Sequence, residues 1–93
     1  MFEPNLKRMR EKIRTRQYVM TLHAEEEMAE DGYSVFDVES GILSGAIFAR
    51  QKEPATAEWK YLLKGQAVAG DAIIVVAKLS PTGKLVIITV YRP

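Results

Sequence analysis

Two segments near the C-terminus are apolar on both faces, and they constrain the fold more than any other feature. In residues 72–79 the only charged side chain is Lys78, and residues 84–91 repeat this apolar pattern. The intervening residues 80–83, Ser-Pro-Thr-Gly, place proline and glycine where a type I turn prefers them. We therefore predict an antiparallel hairpin. An antiparallel strand with one face in water normally alternates apolar and polar residues, so both faces of this hairpin need cover.

The rest of the chain offers cover for one of these faces. Two central amphipathic segments can pack on one side, whereas the apolar stripe of the N-terminal segment, Leu6, Met9 and Ile13, is narrow. An exposed apolar patch on the order of several hundred Å² is uncommon on a soluble monomer. We therefore expect a homodimer, or an obligate protein partner, on the second face.

The remaining segments predict three helices and three further strands. Asn5, Thr21 and Ser34 are predicted to cap the helices, with Asp37 completing a capping box. The predicted helices span residues 5–16, 21–31 and 34–44, and the predicted strands span residues 17–20, 46–50 and 58–64. This order indicates an α+β fold. We expect an N-terminal basic helix in residues 1–16 and a single domain in residues 17–93, with two helices on a four- to five-stranded, mostly antiparallel sheet.

Composition excludes several classes of protein. The chain of 93 residues has no cysteine, so it can form neither disulfides nor a thiolate zinc site. The longest apolar run, residues 72–77, is far shorter than the roughly 20 residues of a membrane span. No secretory signal is recognisable. We expect a cytoplasmic protein that needs no membrane, metal or cofactor.

The net charge of +1 hides a strong asymmetry along the chain. Residues 1–22 carry +4, residues 23–49 carry −7 and residues 50–93 carry +4. One interpretation is that oppositely charged helices pair with each other. The other is that basic segments bind RNA phosphates. The candidate nucleic-acid-binding residues are Arg8, Arg10, Arg14, Arg50 and Lys60.

Two short motifs resemble a known family. Residues 22–28, LHAEEEM, followed by the Gly-Tyr-Ser of residues 32–34, resemble the opening of a family of small bacterial domains of unknown function. Its members typically read His-Ala-x-x-Arg-Met-x-x-Arg-Gly-Ile-Ser there. The chain end, VIITVYRP, is similar to that family's closing strand, and the resemblance covers roughly residues 17–93. Glu27 and Asp31 stand where family members frequently carry arginines.

The element order of this family looks like that of the RelE/ParE and BrnT toxins, which are ribonucleases of toxin–antitoxin pairs. The resemblance implies a RelE-like fold and a toxin-like component that acts on RNA as a metal-independent endoribonuclease, with an antitoxin as partner. The alternative is a non-enzymatic module that binds protein or nucleic acid, because a fold by itself does not determine function.

Three residues are candidates for catalysis. His23 is the only histidine, and Glu27 shares its helix face, so His23 could act as a general acid oriented by that carboxylate. The alternative is that His23 hydrogen-bonds a neighbouring strand and holds the turn at Thr21. Tyr91 and Arg92 end the last strand. One interpretation is that both are active-site groups. The alternative is that Tyr91 caps the core and Arg92 is solvated at the end of the strand.

A basic sheet face is a further candidate for RNA binding. Its cations would be Arg50, Lys52, Lys60 and Lys64, with Tyr61 nearby to stack on bases. The alternative is simple solvation of an exposed strand. We interpret Trp59 as a core or interface residue rather than a platform for a base.

Overall fold

The computed structural model describes residues 2–93, which form three helices on one side of a five-stranded mixed sheet. The helices are α1 (Glu3–Arg14), α2 (Leu22–Glu30) and α3 (Val35–Ser44). The strands are β1 (Tyr18–Met20), β2 (Ala46–Lys52), β3 (Trp59–Gln66), β4 (Ala72–Leu79) and β5 (Leu85–Tyr91). The sheet order is β1-β5-β4-β3-β2, in which β1 pairs parallel with β5 and the other pairs are antiparallel. The α+β class is confirmed.

The local signals at α2 and α3 behave as the sequence predicts. The Thr21 side chain accepts a hydrogen bond from the Ala24 amide at 3.1 Å. Ser34 and Asp37 form a reciprocal capping box at the start of α3. The predicted turn between β4 and β5 is present, with the Gly83 amide donating to the Ser80 carbonyl at 3.0 Å. Within residues 2–93, no helix is long and apolar enough to cross a membrane.

The start of α1 differs from the prediction. The helix begins at Glu3 rather than after Asn5, and Pro4 occupies its first turn, where its missing N–H is not needed. Asn5 does not cap the helix. Its amide nitrogen lies 3.1 Å from the Tyr61 hydroxyl and donates a hydrogen bond that ties α1 to β3.

Helix α1 packs on the same side of the sheet as α2 and α3. Met9 and Ile13 are buried in the common core, as the narrow apolar stripe predicts. The Arg10 guanidinium donates to the Gly45 carbonyl at 2.7 Å and to the Ile42 carbonyl at 3.4 Å. Ile42 lies in the last turn of α3 and Gly45 is its C-cap residue, and carbonyls at a helix end have no partner within the helix, so Arg10 caps α3.

Glycine allows α3 to lie very close to β3. A Cβ atom on Gly65 would lie 2.1 Å from the Gly41 carbonyl oxygen, and a Cβ atom on Gly41 would lie 2.6 Å from a methyl group of Ile73. Both distances are far below contact, so neither position accepts a larger residue without a shift of the helix. The helix side of the sheet is therefore tightly packed.

Within the described residues 2–93, no helix lies over the opposite side of the sheet, which we call the open face. Strand alternation and register place the following residues there: Lys60, Leu62, Lys64, Ile74, Val76, Lys78, Thr89 and Tyr91. Ile74 and Val76 at its centre are nevertheless only 4% and 7% exposed. Their cover comes from cross-strand neighbours, since side chains directly opposite lie within about 5.5 Å. Less apolar surface is open to water than the sequence pattern alone indicates.

Tyr18 joins β1 to α3 and makes stability sensitive to alkaline pH. Its hydroxyl donates to Glu39 Oε2 at 2.5 Å. Burial, and then this hydrogen bond, raise the pKa of Tyr18 to about 12. A tyrosine in the unfolded chain has a pKa near 10. The stabilisation from Tyr18 is therefore complete below about pH 10 and is lost as the pH rises toward 12.

We predict that Tyr18→Phe keeps the ring packing but lowers the free energy of unfolding at pH 7 by about 1–2 kcal/mol. The variant should also lose less stability than the wild type between about pH 10 and pH 12, as urea unfolding followed by circular dichroism can measure. Tyr91→Phe is the matched control, because it removes a tyrosine hydroxyl that has no hydrogen-bond partner within residues 2–93 and leaves the Tyr18–Glu39 bond intact. Identical pH profiles for the wild type and Tyr18→Phe would contradict this assignment.

Candidate nucleic-acid interface

The outer edge of β5 is closed by three different kinds of partner along its length. Strand β1 pairs with its first three residues, Leu85–Ile87. Thr21 follows, with its amide donating to the Ile87 carbonyl at 3.0 Å and its hydroxyl donating to the Ile88 carbonyl at 3.1 Å. The remaining backbone N–H groups on this edge face α2.

The carboxylates of Glu27, in α2, and Asp31, the C-cap residue of α2, complete this edge. Glu27 Oε1 accepts from the Val90 amide at 3.2 Å, and Asp31 Oδ2 accepts from the Arg92 amide at 3.0 Å. Glu27 and Asp31 are four residues apart and therefore lie on the same side of the helix. Val90 and Arg92 are two residues apart, so their amides point from the same edge of the strand. Each carboxylate can therefore face one amide. An arginine carries no acceptor and could not play this part. The sequence pattern did not predict this role for Glu27 and Asp31, because it depends on which strand edge α2 meets.

His23 lies on the surface beside Glu27. Its Nε2 atom is 3.1 Å from Glu27 Oε1, and its side chain is 65% exposed. The link between His23 and the strand is indirect, because the same Glu27 oxygen accepts the Val90 amide. The pair does not extend to a metal site: among residues 2–93, no three His, Cys, Asp or Glu side chains are grouped to hold an ion.

The Arg92 side chain holds the fold together on the helix side of the sheet. Its Nη1 donates to Asp71 Oδ2 at 2.6 Å, its Nη2 donates to the Asp31 carbonyl at 2.8 Å, and its guanidinium lies 4.5 Å from the centre of the Tyr33 ring. The hydrogen bond with Asp71 raises the pKa of Arg92 further above its usual value. Both terminal nitrogens of the Arg92 guanidinium are therefore hydrogen-bonded within the fold.

The three catalytic candidates do not converge. Tyr91 pairs with Ile74 in the ladder and is 36% exposed on the open face, whereas the Arg92 side chain turns to the helix side. Successive residues of a strand point to opposite faces, which separates this pair. Within the part of the chain that the structure describes, no hydrogen bond or ion pair joins His23 to Tyr91 or Arg92.

The cations of α1 serve different purposes. Arg10 caps α3, and Arg14 lies 3.9 Å from Glu11, with both side chains exposed. Arg8 is exposed and makes no hydrogen bond or ion pair with another residue of the described range 2–93. Of the predicted phosphate-binding set, Arg10 is therefore engaged at the end of α3 and Arg14 forms an exposed ion pair with Glu11, whereas Arg8 has no such partner in that range.

The four cations of the predicted basic sheet face do not share a face. Arg50 lies on the helix side, with its guanidinium 4.1 Å from the centre of the Trp59 ring, and Lys52 is 5.8 Å from the same ring. Lys60 and Lys64 alternate onto the open face. Tyr61 is buried on the helix side with its ring edge-on to Phe2, so it cannot stack on a base.

The open face combines unpaired cations with an exposed aromatic ring. Lys60 and Lys64 make no hydrogen bond or ion pair with any residue from 2 to 93, whereas Lys78 pairs with Glu58 at 3.3 Å. Lys64, Ile74 and Tyr91 are aligned across three strands. Neighbouring strands are about 4.8 Å apart, so Lys64 and Tyr91 attach roughly 10 Å apart. In the bulge of β2, at the edge of the sheet, Phe48 is 53% exposed.

These features define a small α+β domain with one face of its mixed sheet open and basic. Residues 20–92 match the family model described as "Domain of unknown function (DUF4258)". The chain therefore belongs to this DUF4258 family, which confirms the prediction of a small domain of unknown function. Helix α1 precedes the matched range. Neither a curated protein nor a solved structure matches the chain.

We predict that Glu27→Ala lowers the free energy of unfolding by about 1–3 kcal/mol, because the Val90 amide loses its acceptor. Glu27→Gln keeps a carbonyl oxygen at that place and should cost less. Urea unfolding measures the stability, and hydrogen exchange of the Val90 amide reports on the edge itself. His23→Ala is the control, since it removes the imidazole and leaves this bond. Equal Val90 protection in Glu27→Ala and Glu27→Gln would contradict this role.

Proposed function

We propose that this protein binds single-stranded RNA across the open face. The observation that carries the proposal is the arrangement of Lys60 and Lys64 beside the exposed ring of Tyr91. Among residues 2–93, neither lysine has an ion-pair partner and no helix covers this face of the sheet. Lysines bind backbone phosphates, and aromatic rings on a sheet stack on unpaired bases. Lys64 and Tyr91, in one row, would contact a phosphate and a base of the same strand.

The distribution of acidic groups supports this choice of face. Glu25, Glu26 and Glu30 are exposed on α2, which packs on the other side of the sheet. Glu58, beside the open face, is neutralised by Lys78. The local positive charge attracts an anionic polymer although the net charge of the whole chain is only +1.

The setting we propose is the cytoplasm, with the protein as a toxin-like component of a toxin–antitoxin pair. The support for this setting is the resemblance to the RelE/ParE and BrnT toxins. An antitoxin, or a second copy of the chain, would compete with RNA if it packed on the open face. A two-fold homodimer through this face sets the same patch against itself and so brings the lysines of both copies together.

A second candidate function is RNA cleavage, and the contact between His23 and Glu27 favours it. An exposed imidazole that a carboxylate holds at 3.1 Å is oriented to give a proton to a bound substrate or take one from it. Binding ranks above cleavage because the Arg92 guanidinium, the cation predicted to stabilise the phosphate, is held by Asp71 and Asp31.

We predict that replacing Lys60 and Lys64 together with glutamine weakens RNA binding and flattens its salt dependence. Two lost phosphate contacts reduce the log–log slope by about 1.4 for a single strand. Fluorescence anisotropy of a labelled oligonucleotide at several salt concentrations measures this slope. Tyr91→Ala should instead weaken binding about equally at every salt concentration, because stacking is not ionic.

Lys84→Gln is the matched control for this experiment, because Lys84 is an exposed lysine in the turn before β5. It should change the slope less than the double variant. Absence of RNA binding by the wild type at low salt, or equal slopes for the double variant and the wild type, would overturn the proposal.

If the second function operates, induced expression of the wild type without a partner should slow growth and degrade RNA. His23→Ala should then reduce cleavage by about 10²- to 10⁴-fold, the usual contribution of an acid–base group. The measurements are growth curves and RNA integrity on gels, with Lys84→Gln as the control. Normal growth and intact RNA with the wild type would remove the enzymatic function and leave RNA binding untouched.

A further inference from the structure

The fold closes one end of the sheet and leaves the other end without a partner. Strand β5 is covered along its outer edge by β1, Thr21 and two carboxylates, whereas β2 is the last strand at the opposite end. Among residues 2–93, no strand pairs with the outer edge of β2, and most of its seven residues are exposed. A free strand edge is a template for another strand.

The pairing of β2 with β3 decides which backbone groups of β2 are free. The Glu53 amide, directly after the strand, donates to the Glu58 carbonyl at 2.8 Å. Successive residues of an antiparallel strand alternately face the partner strand and point away from it. Gln51 therefore bonds to β3, as Glu53 does, whereas the N–H and C=O groups of Arg50 and Lys52 point outward.

The same two residues carry the cations of this edge. The register places Arg50 opposite Tyr61 and Lys52 opposite Trp59, on the helix side of the sheet. The Arg50 guanidinium lies 4.1 Å from the centre of the Trp59 ring, and the Lys52 ammonium lies 5.8 Å from it. Within the described part of the chain, neither side chain forms a hydrogen bond or an ion pair. The indole therefore holds both cations beside the edge while their N–H donors stay available.

The outward backbone groups favour a peptide over a nucleic acid as the partner. A peptide strand presents N–H and C=O groups with the same repeat as β2, so it satisfies both kinds of group. The phosphates of a nucleic acid only accept hydrogen bonds, so they would leave the outward carbonyls of Arg50 and Lys52 without donors.

The charge of the edge favours an acidic peptide over a second copy of β2. The strand, AIFARQK, carries two cations and no acid, and Glu53 after it alternates to the other face. Two copies of β2 would set like charges along one edge, and the bulge at Phe48 interrupts regular pairing. Carboxylates opposite Arg50 and Lys52 would instead form two cross-strand ion pairs, because directly opposite side chains lie within about 5.5 Å.

We propose that the outer edge of β2 binds an extended acidic segment of a partner protein, which adds a strand to the sheet. The segment carries acidic residues at two alternate positions, opposite Arg50 and Lys52, and the exposed Phe48 ring at the same edge offers an apolar contact. The inference does not rest on RNA binding, because Lys60 and Lys64 lie on the open face, whereas these two cations lie on the helix side.

The test uses a labelled seven-residue peptide that alternates glutamate and valine, titrated against the full chain and followed by fluorescence anisotropy. Binding should saturate, and hydrogen exchange of the Arg50 and Lys52 amides should slow more than that of Gln51, which is already bonded to β3. N-methylation of the peptide's glutamate amides, which face β2, should weaken binding at least about tenfold, because the backbone hydrogen bonds are lost. N-methylation of its valine amides is the matched control and should weaken binding less.

Reversing the charge of the edge tests the acidic preference. Replacing Arg50 and Lys52 together with glutamate should make the chain prefer a lysine–valine peptide over the glutamate–valine peptide by about fivefold or more. Replacing Arg16 and Lys84 together with glutamate is the control. It makes the same change in net charge at the opposite end of the sheet and should keep the preference for glutamate.

Four results would overturn the proposal: no saturable binding of the glutamate peptide, equal binding of the two N-methylated peptides, an unreversed preference in the charge-reversed variant, or equal protection of the Arg50 and Lys52 amides by an RNA oligonucleotide. Protection that rises with protein concentration in the absence of peptide would also overturn it, because a second copy would then occupy the edge. The glutamine variant of Lys60 and Lys64 should still show peptide-dependent protection. Peptide binding and RNA binding can therefore fail separately.

Discussion

The architecture depends on how the outer edge of β5 satisfies its backbone hydrogen bonds. A buried or half-buried N–H without an acceptor is costly, so the edge needs a partner along its whole length. Strand β1 is only three residues long, and α2 completes the edge with the carboxylates of Glu27 and Asp31. These bonds fix α2 against β5, beside α3 and on the same side of the sheet. The opposite side then has no helix.

In this arrangement His23 and Arg92, the residues that first suggest a function, have structural contacts, and the open face becomes the better candidate for binding. His23 contacts a carboxylate that is already bound to the strand, and the Arg92 guanidinium joins α2 to the start of β4. The open face, by contrast, carries Lys60 and Lys64, which have no hydrogen-bond or ion-pair partner in the described range 2–93. Cross-strand side chains cover Ile74 and Val76 at the centre of this face. The face therefore presents cations and an aromatic ring to a partner, and little apolar surface. That chemistry favours a single-stranded nucleic acid.

Part of the candidate site was predictable from the sequence. The clean alternation in β3 correctly separated Lys60, Leu62 and Lys64 from Trp59, Tyr61 and Leu63, because side chains in a strand have a strict period of two. The same rule separates Tyr91 from Arg92. The prediction of a single basic face failed for Arg50 and Lys52, because their strand pairs with β3 in a register that places them beside Trp59 on the helix side.

The sequence by itself determined the elements: the α2 and α3 caps, the hairpin of β4 and β5, the narrow stripe of α1 and the α+β class. These features arise from local backbone sterics and from side-chain periodicity, which neighbouring residues dictate. Only the tertiary structure decided that β1 pairs parallel with β5, that Asn5 ties α1 to β3 instead of capping its own helix, and that Arg10 caps the end of α3. Each of these contacts joins residues far apart in the chain, so its partner is chosen by packing and hydrogen-bond geometry that no local pattern contains.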